Sequence, residues 1–296
     1  IAIYGLSGWL IAQERTAAVL LIQLLMNLCN IILDLWFVLG LGLGVEGVAL
    51  ATLIAEWGGL VLGLYLCRSV LSGLAGPMWQ QIFDRVRLAR MVQVNVDILI
   101  RSVLLQVGFV SFLFFGADLG DVTLAANQIL LQFVYVASHA MDGFVFAAEA
   151  LVGQAMGARA VAQLRRGASL TAIWAFGSAV FMAMMFWVLG AIVIDIMAKD
   201  ASVQEAARIY LPHIALAPLM GALAWMLDGV FIGATRSRDM RNMMIVSFSG
   251  YCALVALLLP SLGNHGLWLA MNGFFILRGV TLALRYPALE RAVTVY

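Results

Sequence analysis

Apolar stretches of about 18 to 25 residues recur along this 296-residue chain, each long enough to cross a bilayer as a helix. That pattern removes most of the fold menu. Inside hydrocarbon every backbone polar group needs an internal partner, which leaves only helices and closed barrels. The stretches are continuous and do not alternate with period two, so they are expected to be helices. An all-α, polytopic membrane protein is the expected class. Hydrophobic residues make up 64% of the chain and charged residues 11%, against about 25% charged in soluble domains.

Spans are expected at 1–12 (in part), 17–39, 44–67, 93–116, 124–151, 168–195, 209–235, 243–262 and 266–284. The longest interruption, 68–92, contains Gly73, Gly76 and Pro77, and the amphipathic "MWQQIFDRVRLARMVQ" (78–93) suits a helix lying in the interface. It divides the chain into 1–67, a connector at 68–92, and 93–296. The chain opens on Ile1, already inside an apolar run, so a truncated N-terminus is expected; no signal peptide is visible.

Arginine sets the orientation. Alternate connections hold Arg15; Arg68, Arg85, Arg87 and Arg90; Arg159, Arg165 and Arg166; Arg236, Arg238 and Arg241; and Arg285 and Arg291. The opposite connections hold only Lys199 and Arg208. Thirteen against two is a strong positive-inside bias and places the connector and the C-terminus in the cytoplasm. The net charge of +1 carries no signal of nucleic acid. Cys29, Cys67 and Cys252 all lie in apolar spans, which argues against disulfides and a metal site.

An internal repeat is visible. "SGWLIAQERT" (7–16) matches "DGVFIGATRS" (228–237) at an offset of 221, which also aligns Gly42 with Gly263 and Ala49 with Ala270. Repeats flanking a central site are typical of secondary transporters.

Polar residues inside the spans carry the functional expectations. Gln128, Gln132, Tyr135, His139, Asp142 and Glu149 are spaced 4, 3, 4, 3 and 7, so they share one helix face. Such a stripe either lines a water-filled cavity or glues helices by hydrogen bonds. Gln23, Asn27, Asn30 and Asp34 repeat the pattern more weakly, and Glu56 sits mid-span. Asp97 and Arg101 lie one turn apart and are expected to neutralise one another in part. They are read either as an ion relay or gate, or as a static strut. Gln93 extends their face and Asn95 points elsewhere. Asp228 and Arg278 are further in-span charges needing partners. His139 and His213 titrate near neutral pH when unperturbed, so His139 is either a proton carrier or simply hydrogen-bonded. "GLGLGVEG" (40–47) lacks the strand–helix context of a nucleotide loop and is a turn. No nucleophile–base–acid set, zinc spacing or P-loop appears, so neither an enzyme nor an ATP-driven pump is expected, and no cofactor beyond a coupling ion.

Several strings resemble the multidrug and toxic compound extrusion (MATE) family. "EALVGQAMGAR" (149–159) looks like its recurrent "vGQ-x-x-GA" segment, and "GVALATLIAEW" (47–57) and "NLCNIILDLWFVLGLGLGVEG" (27–47) look like its fifth and sixth helices. "NVDILIRS" (95–102), "MDGFVFAAEALVGQ" (141–154) and "LDGVFIGATRSRDMRN" (227–242) are similar to the family's DNA-damage-inducible F (DinF) branch. The resemblance implies two six-helix lobes around a central cavity, with this chain holding part of helix 4 through helix 12. It implies exchange of H⁺ or Na⁺ for exported drugs or organic cations by alternating access in the bacterial inner membrane. The cation-site carboxylates of the Na⁺-coupled branch lie on helices 7 and 10; Asp97 falls on the matching helix 7, while Asp228 is displaced by one to two turns. The helix whose aspartate is a proton site in related members precedes this chain, so the chain as it stands is not expected to transport.

The expected function is therefore cation-coupled antiport by a monomer, with a small organic substrate and membrane lipid as partners. Asp97, Arg101, Asp142, Glu149, Asp228, His139 and Asn95 are the ion-coupling candidates. Gln128, Gln132, Tyr135, Asn27, Asn30, Asp34 and Arg278 are the substrate-cavity candidates. The alternatives are a lipid-linked oligosaccharide flippase of the same superfamily and a structural or receptor-like membrane protein.

Overall fold

The computed structural model describes residues 2–13, 15–71 and 83–295. Among them are nine α-helices: α1 (Ala2–Ala12), α2 (Thr16–Asp34), α3 (Gly44–Leu71), α4 (Arg85–Ala117), α5 (Asp121–Gly157), α6 (Val161–Met197), α7 (Ala201–Gly233), α8 (Ser237–Leu262) and α9 (Asn264–Val295). A π-helical segment, Leu35–Gly40, continues α2. Eight of these helices are long and apolar enough to cross a membrane, α1 being the shorter one. Each expected span thus has its helix, although most helices run past the ends read from the sequence.

The connector differs from expectation. Residues 72–82 lie outside the described residues, but from Arg85 onward the chain is one continuous helix into the fourth span. The reason is local: "RVRLARMVQ" contains good helix formers and no glycine or proline to stop the turn.

The chain forms two compact units, residues 1–84 and 85–296. In the first, Ile3, Leu10, Ile22 and Cys67 form a small core between α1, α2 and α3. In the second, α7 is the central helix, buried along most of its length and packed most extensively against α5, then α6 and α9. Trp174, Phe181, Trp187 and Ile196 on α6 are exposed, as expected of a lipid-facing side.

Glycine makes the central contact possible. A Cβ on Gly229 would meet the backbone of Val145, with its Cα and carbonyl carbon at 3.0 Å. One on Gly233 would meet the Glu149 backbone, with Cα at 2.9 Å. Spacing of four puts both glycines on one face, the small-xxx-small pattern that lets helix backbones touch.

The repeat is present in the backbone. Arg15 N–H donates to Leu10 O and Arg236 N–H to Phe231 O, both at 2.9 Å. Gln13 to Trp9 and Ala234 to Val230, both at 3.0 Å, obey the same offset of 221. The aligned Gly42 and Gly263 both have left-handed φ, +69° and +55°, as the tight turns between spans require. The copies diverge before that turn, where the first has its π-helical segment and α8 stays α-helical to Leu262. The α5–α6 connection uses the cap of the α7–α8 connection: Arg159 and Thr235 have φ +54° and +53°, and Ala160 N–H donates to Ala155 O at 2.9 Å.

Ion pairs fix the helix ends. Arg165 donates two bonds to Glu290, at 2.8 and 2.9 Å, joining α6 to α9. Arg208 clamps Asp195 at 2.5 and 2.6 Å, joining α7 to α6 at the other end. Asp200 caps α7, accepting from the Ser202 N–H at 2.8 Å and hydroxyl at 2.7 Å. The hydroxyl first, and then the N–H, hold its carboxyl below the usual carboxylate range.

Gly229→Ala and Gly233→Ala each force α5 and α7 apart and are expected to destabilise the second unit by about 1–3 kcal/mol. Gly177→Ala, with nothing within 4 Å of the new methyl, should not. Thermal unfolding of the purified variants in one detergent gives the comparison.

Candidate functional site

Asp97 and Arg101 do not neutralise one another. Asp97 Oδ1 accepts from Arg241 Nη1 at 2.6 Å and its Oδ2 from the Ser237 hydroxyl at 3.0 Å. Arg101 instead donates to Asp228 Oδ2, which also accepts from Arg278 Nη2 at 2.9 Å. The expected pair along α4 is therefore corrected. The physical reason is the length of α4. It begins at Arg85, so Asp97 lies level with the first turn of α8, and Arg101, about 6 Å deeper, lies level with Asp228. Successive turns of one face meet different neighbours.

These contacts bind four helices. Asp97 ties α4 to α8, while Asp228 ties α7 to α4 and α9. Asp97 and Arg278 are 1% and 2% exposed, so both charges are out of water. Buried charges persist only when paired and hydrogen-bonded. The second cluster is over-supplied with positive charge: two guanidinium groups share one carboxylate. Arg101 Nε and Arg278 Nε and Nη1 have no hydrogen-bond partner. The Phe274 ring, 5.8 Å from the Arg278 guanidinium, offers its negative face as partial compensation.

The α5 stripe has a different environment. Gln128, Gln132, His139 and Asp142 are exposed, and Tyr135 and Glu149 are half-buried. Ala126, Leu130, Val134, Ala137, Met141 and Ala148, on the other side of α5, are buried in the core. His139 Nδ1 lies 2.6 Å from Tyr135 O and so bonds within its own helix. Among the described residues, no arginine or lysine forms an ion pair with Asp142 or Glu149; His139, one turn away on the same face, interacts electrostatically with Asp142. Asn95 is exposed on α4, off the Asp97 face, as expected, whereas Gln93 shares a cavity with Asp97.

In the first unit, Asn30 donates to the Thr52 hydroxyl at 3.4 Å, and that hydroxyl donates to Val48 O at 2.9 Å. Asp34 has one carboxylate oxygen buried without a hydrogen-bond partner. Asn27 and Glu56 are exposed.

Two features escaped the sequence reading. Arg241 and Ser237, the partners of Asp97, read as part of an arginine-rich connection, although Arg241 lies a full turn inside α8. The second is a buried amide network at the opposite end. Asn127 and Asn264 exchange hydrogen bonds at 2.8 and 3.0 Å, and Trp268 Nε1 donates to Asn127 Oδ1 at 2.9 Å. Asn127 sits one residue off the stripe, so the periodicity that marks the stripe excludes it.

The second unit has two cavities of note. One, of about 640 Å³, opens at the arginine-rich end beside Asp97. The other, of about 190 Å³, is an apolar groove between α5 and α6 with Gln132 at its edge. It is smaller than the roughly 300 Å³ of a drug-sized pocket.

Comparison with known proteins adds the following. The family model described as MatE matches residues 98–258. The chain is 38% identical over 286 residues to the DNA damage-inducible protein F of Escherichia coli (strain K12), covering 94% of this chain and 61% of that protein. It is 28% identical over 308 residues to the probable multidrug resistance protein NorM of Pseudomonas aeruginosa, covering 95% and 60%. The chain thus spans about three fifths of the length of these relatives. The fold matches the crystal structure of the Vibrio cholerae MATE transporter VcmN in its bent form with a TM-score of 0.88 at 18% identity, covering 99% of this chain and 67% of that one.

The charge arrangement gives an ordered expectation. Asp228→Asn strands two guanidinium groups and should cost about 3–5 kcal/mol, the range for a broken buried pair. Arg278→Met leaves one arginine to one carboxylate and should be milder. Asp97→Asn should also be milder, because Arg241 keeps 30% of its side chain exposed. Thermal unfolding of the three variants tests the order, and equal losses would show that the sharing of Asp228 does not matter.

Proposed function

This chain belongs to the MatE family, and from that premise we propose that it is the larger part of a secondary efflux transporter of a bacterial inner membrane. It exports amphipathic or cationic organic compounds in exchange for H⁺ or Na⁺ by alternating access. The arginine-rich ends of its helices, including the C-terminus, face the cytoplasm. It acts by transport, not by catalysis of a covalent step, and needs no cofactor beyond the coupling ion.

One observation carries the assignment of the coupling groups: the difference between the two sets of carboxylates. Asp97 and Asp228 are already neutralised by Arg241, and by Arg101 with Arg278. A proton or metal cation arriving there would have to displace a guanidinium. Asp142 and Glu149 carry no such counter-ion and lie on a polar face running the length of a span. Among the described in-span carboxylates of the second unit they are the two free to bind and release a cation, and each change of charge shifts the balance between conformations. Asp34, with an unpartnered buried oxygen beside Asn30, is the matching candidate in the first unit. Gln128, Gln132, Tyr135 and His139 then offer the substrate a wet, hydrogen-bonding wall. Neither cavity of the second unit holds the substrate alone: the apolar groove is too small and the larger cavity is positively charged.

The test uses protein expressed from the complete reading frame in inverted membrane vesicles, with a lipophilic cationic dye. Asp142→Asn and Glu149→Gln should each lower gradient-driven dye transport at least tenfold, with unchanged expression and thermal stability. Driving transport in turn with a pH gradient and a Na⁺ gradient identifies the ion. Wild-type transport by both variants would remove these carboxylates from the mechanism, and a wild type inert to every gradient would remove antiport.

A further inference from the structure

We propose that the cavity at the arginine-rich end of the second unit binds the phosphate group of an anionic amphiphile, in the membrane the headgroup of an anionic phospholipid. The proposal is independent of ion coupling and of the exported substrate.

The cavity, of about 640 Å³, is walled by α4, the end of α5, the α7–α8 connection and the end of α9. Five charged side chains line it: Arg90, Arg236, Arg238, Asp97 and Asp239. Both carboxylates are spent. Asp97 is bonded to Arg241, and Asp239 to Arg236 Nε at 2.9 Å. Counting Arg241 with its partner, four arginines face two aspartates, an excess of two positive charges. That excess resides on Arg90 of α4 and Arg238 of α8, which are exposed and have no counter-ion among the described residues. They stand on different walls of the one cavity.

Three further features fit phosphate on an apolar stem. The first turn of α8 borders the cavity, and its N-cap residue, Arg236, makes no side-chain capping bond. The Asp239 N–H donates to Arg236 O at 3.1 Å, which leaves the Ser237 and Arg238 N–H groups of that turn to face an anion. Guanidinium groups suit phosphate oxygens in fork geometry. Part of the remaining wall is apolar, with Val94 of α4, Met156 of α5 and Val293 of α9 beside the polar Gln93 and Thr235. A bare inorganic ion has no use for such a wall, whereas a glycerophospholipid does. Basic pockets between spans on the positively charged side of a membrane protein are the expected place for anionic headgroups. A cationic guest is disfavoured by the charge excess.

The test compares the whole chain with two double variants. Arg90→Gln/Arg238→Gln removes the unpaired charges. Arg159→Gln/Arg166→Gln removes two arginines from the same end outside the cavity. Each is purified in neutral detergent and in nanodiscs of phosphatidylcholine, with and without phosphatidylglycerol. Unfolding in phosphatidylcholine alone verifies that all three fold equally. Retained phosphatidylglycerol is read by native mass spectrometry, and its stabilising effect by the shift in Tm. Retention should fall at least fivefold, and the shift disappear, only in Arg90→Gln/Arg238→Gln. A separate titration with inorganic phosphate and glycerol 3-phosphate, without anionic lipid, distinguishes the source. Saturable binding there, lost in the same variant while phosphatidylglycerol is held equally by all, would support the phosphate site and make its ligand soluble. Equal loss in both double variants would reduce the effect to general basic attraction and overturn the proposal. So would no loss of any phosphate ligand in Arg90→Gln/Arg238→Gln.

Discussion

Asp228, shared between Arg101 and Arg278, is the interaction on which the second unit depends. Hydrocarbon tolerates a charge only when something compensates it, and here one carboxylate is shared by two guanidinium groups from different helices. The arrangement fixes α4 and α9 against the central α7 at a single point. The neighbouring Asp97–Arg241 pair adds α8 at a shallower level. Together they let four long, largely apolar helices hold one register where lipid supplies no hydrophobic drive for association.

Much of the architecture was legible beforehand because bilayer constraints leave so few solutions. Span positions followed from uninterrupted apolar length, and the alternation of arginine kept the count honest, since one missed helix would have scrambled it. The repeat at an offset of 221 rested on a few identities, yet it corresponds to the same backbone hydrogen bonds around Arg15 and Arg236. Helix ends were less legible. Residues that continue a helix outside hydrocarbon, such as Arg85 to Val92, interleave arginine with apolar residues and so break the uninterrupted run that marks a span.

The site was legible as a set of residues but not as a set of pairs. Periodicity places Asp97 and Arg101 on one face of a helix, and proximity along the chain then suggests that they meet. What decides instead is which neighbouring helix stands at each level, and that depends on crossing angles and helix lengths absent from a one-dimensional pattern. Arg241 shows the limit clearly. It contributes to the charge bias as one more arginine of a connection, and nothing in its spacing announces a buried carboxylate as its partner. Asn127 was hidden because it sits one residue off the stripe, with partners, Asn264 and Trp268, about as distant along the chain as Asp97 is from Arg241.

The glycine face of α7 has a mechanical consequence. With Gly229 and Gly233 laid directly on the main chain of Val145 and Glu149, α5 and α7 cannot rotate or slide without steric collision. They behave as one stiff plank, carrying the exposed stripe along one edge and Asp228 on the other member. The packing between α4 and α5 is sparser, and α4 leans mainly on α8. A relative movement inside this unit would therefore run along that seam, and the Arg101–Asp228 bond crosses it like a rivet. A force gathered on the stripe would reach α4 through that bond and the Tyr135–Phe109 ring contact, and α9 through Asn127 and Arg278.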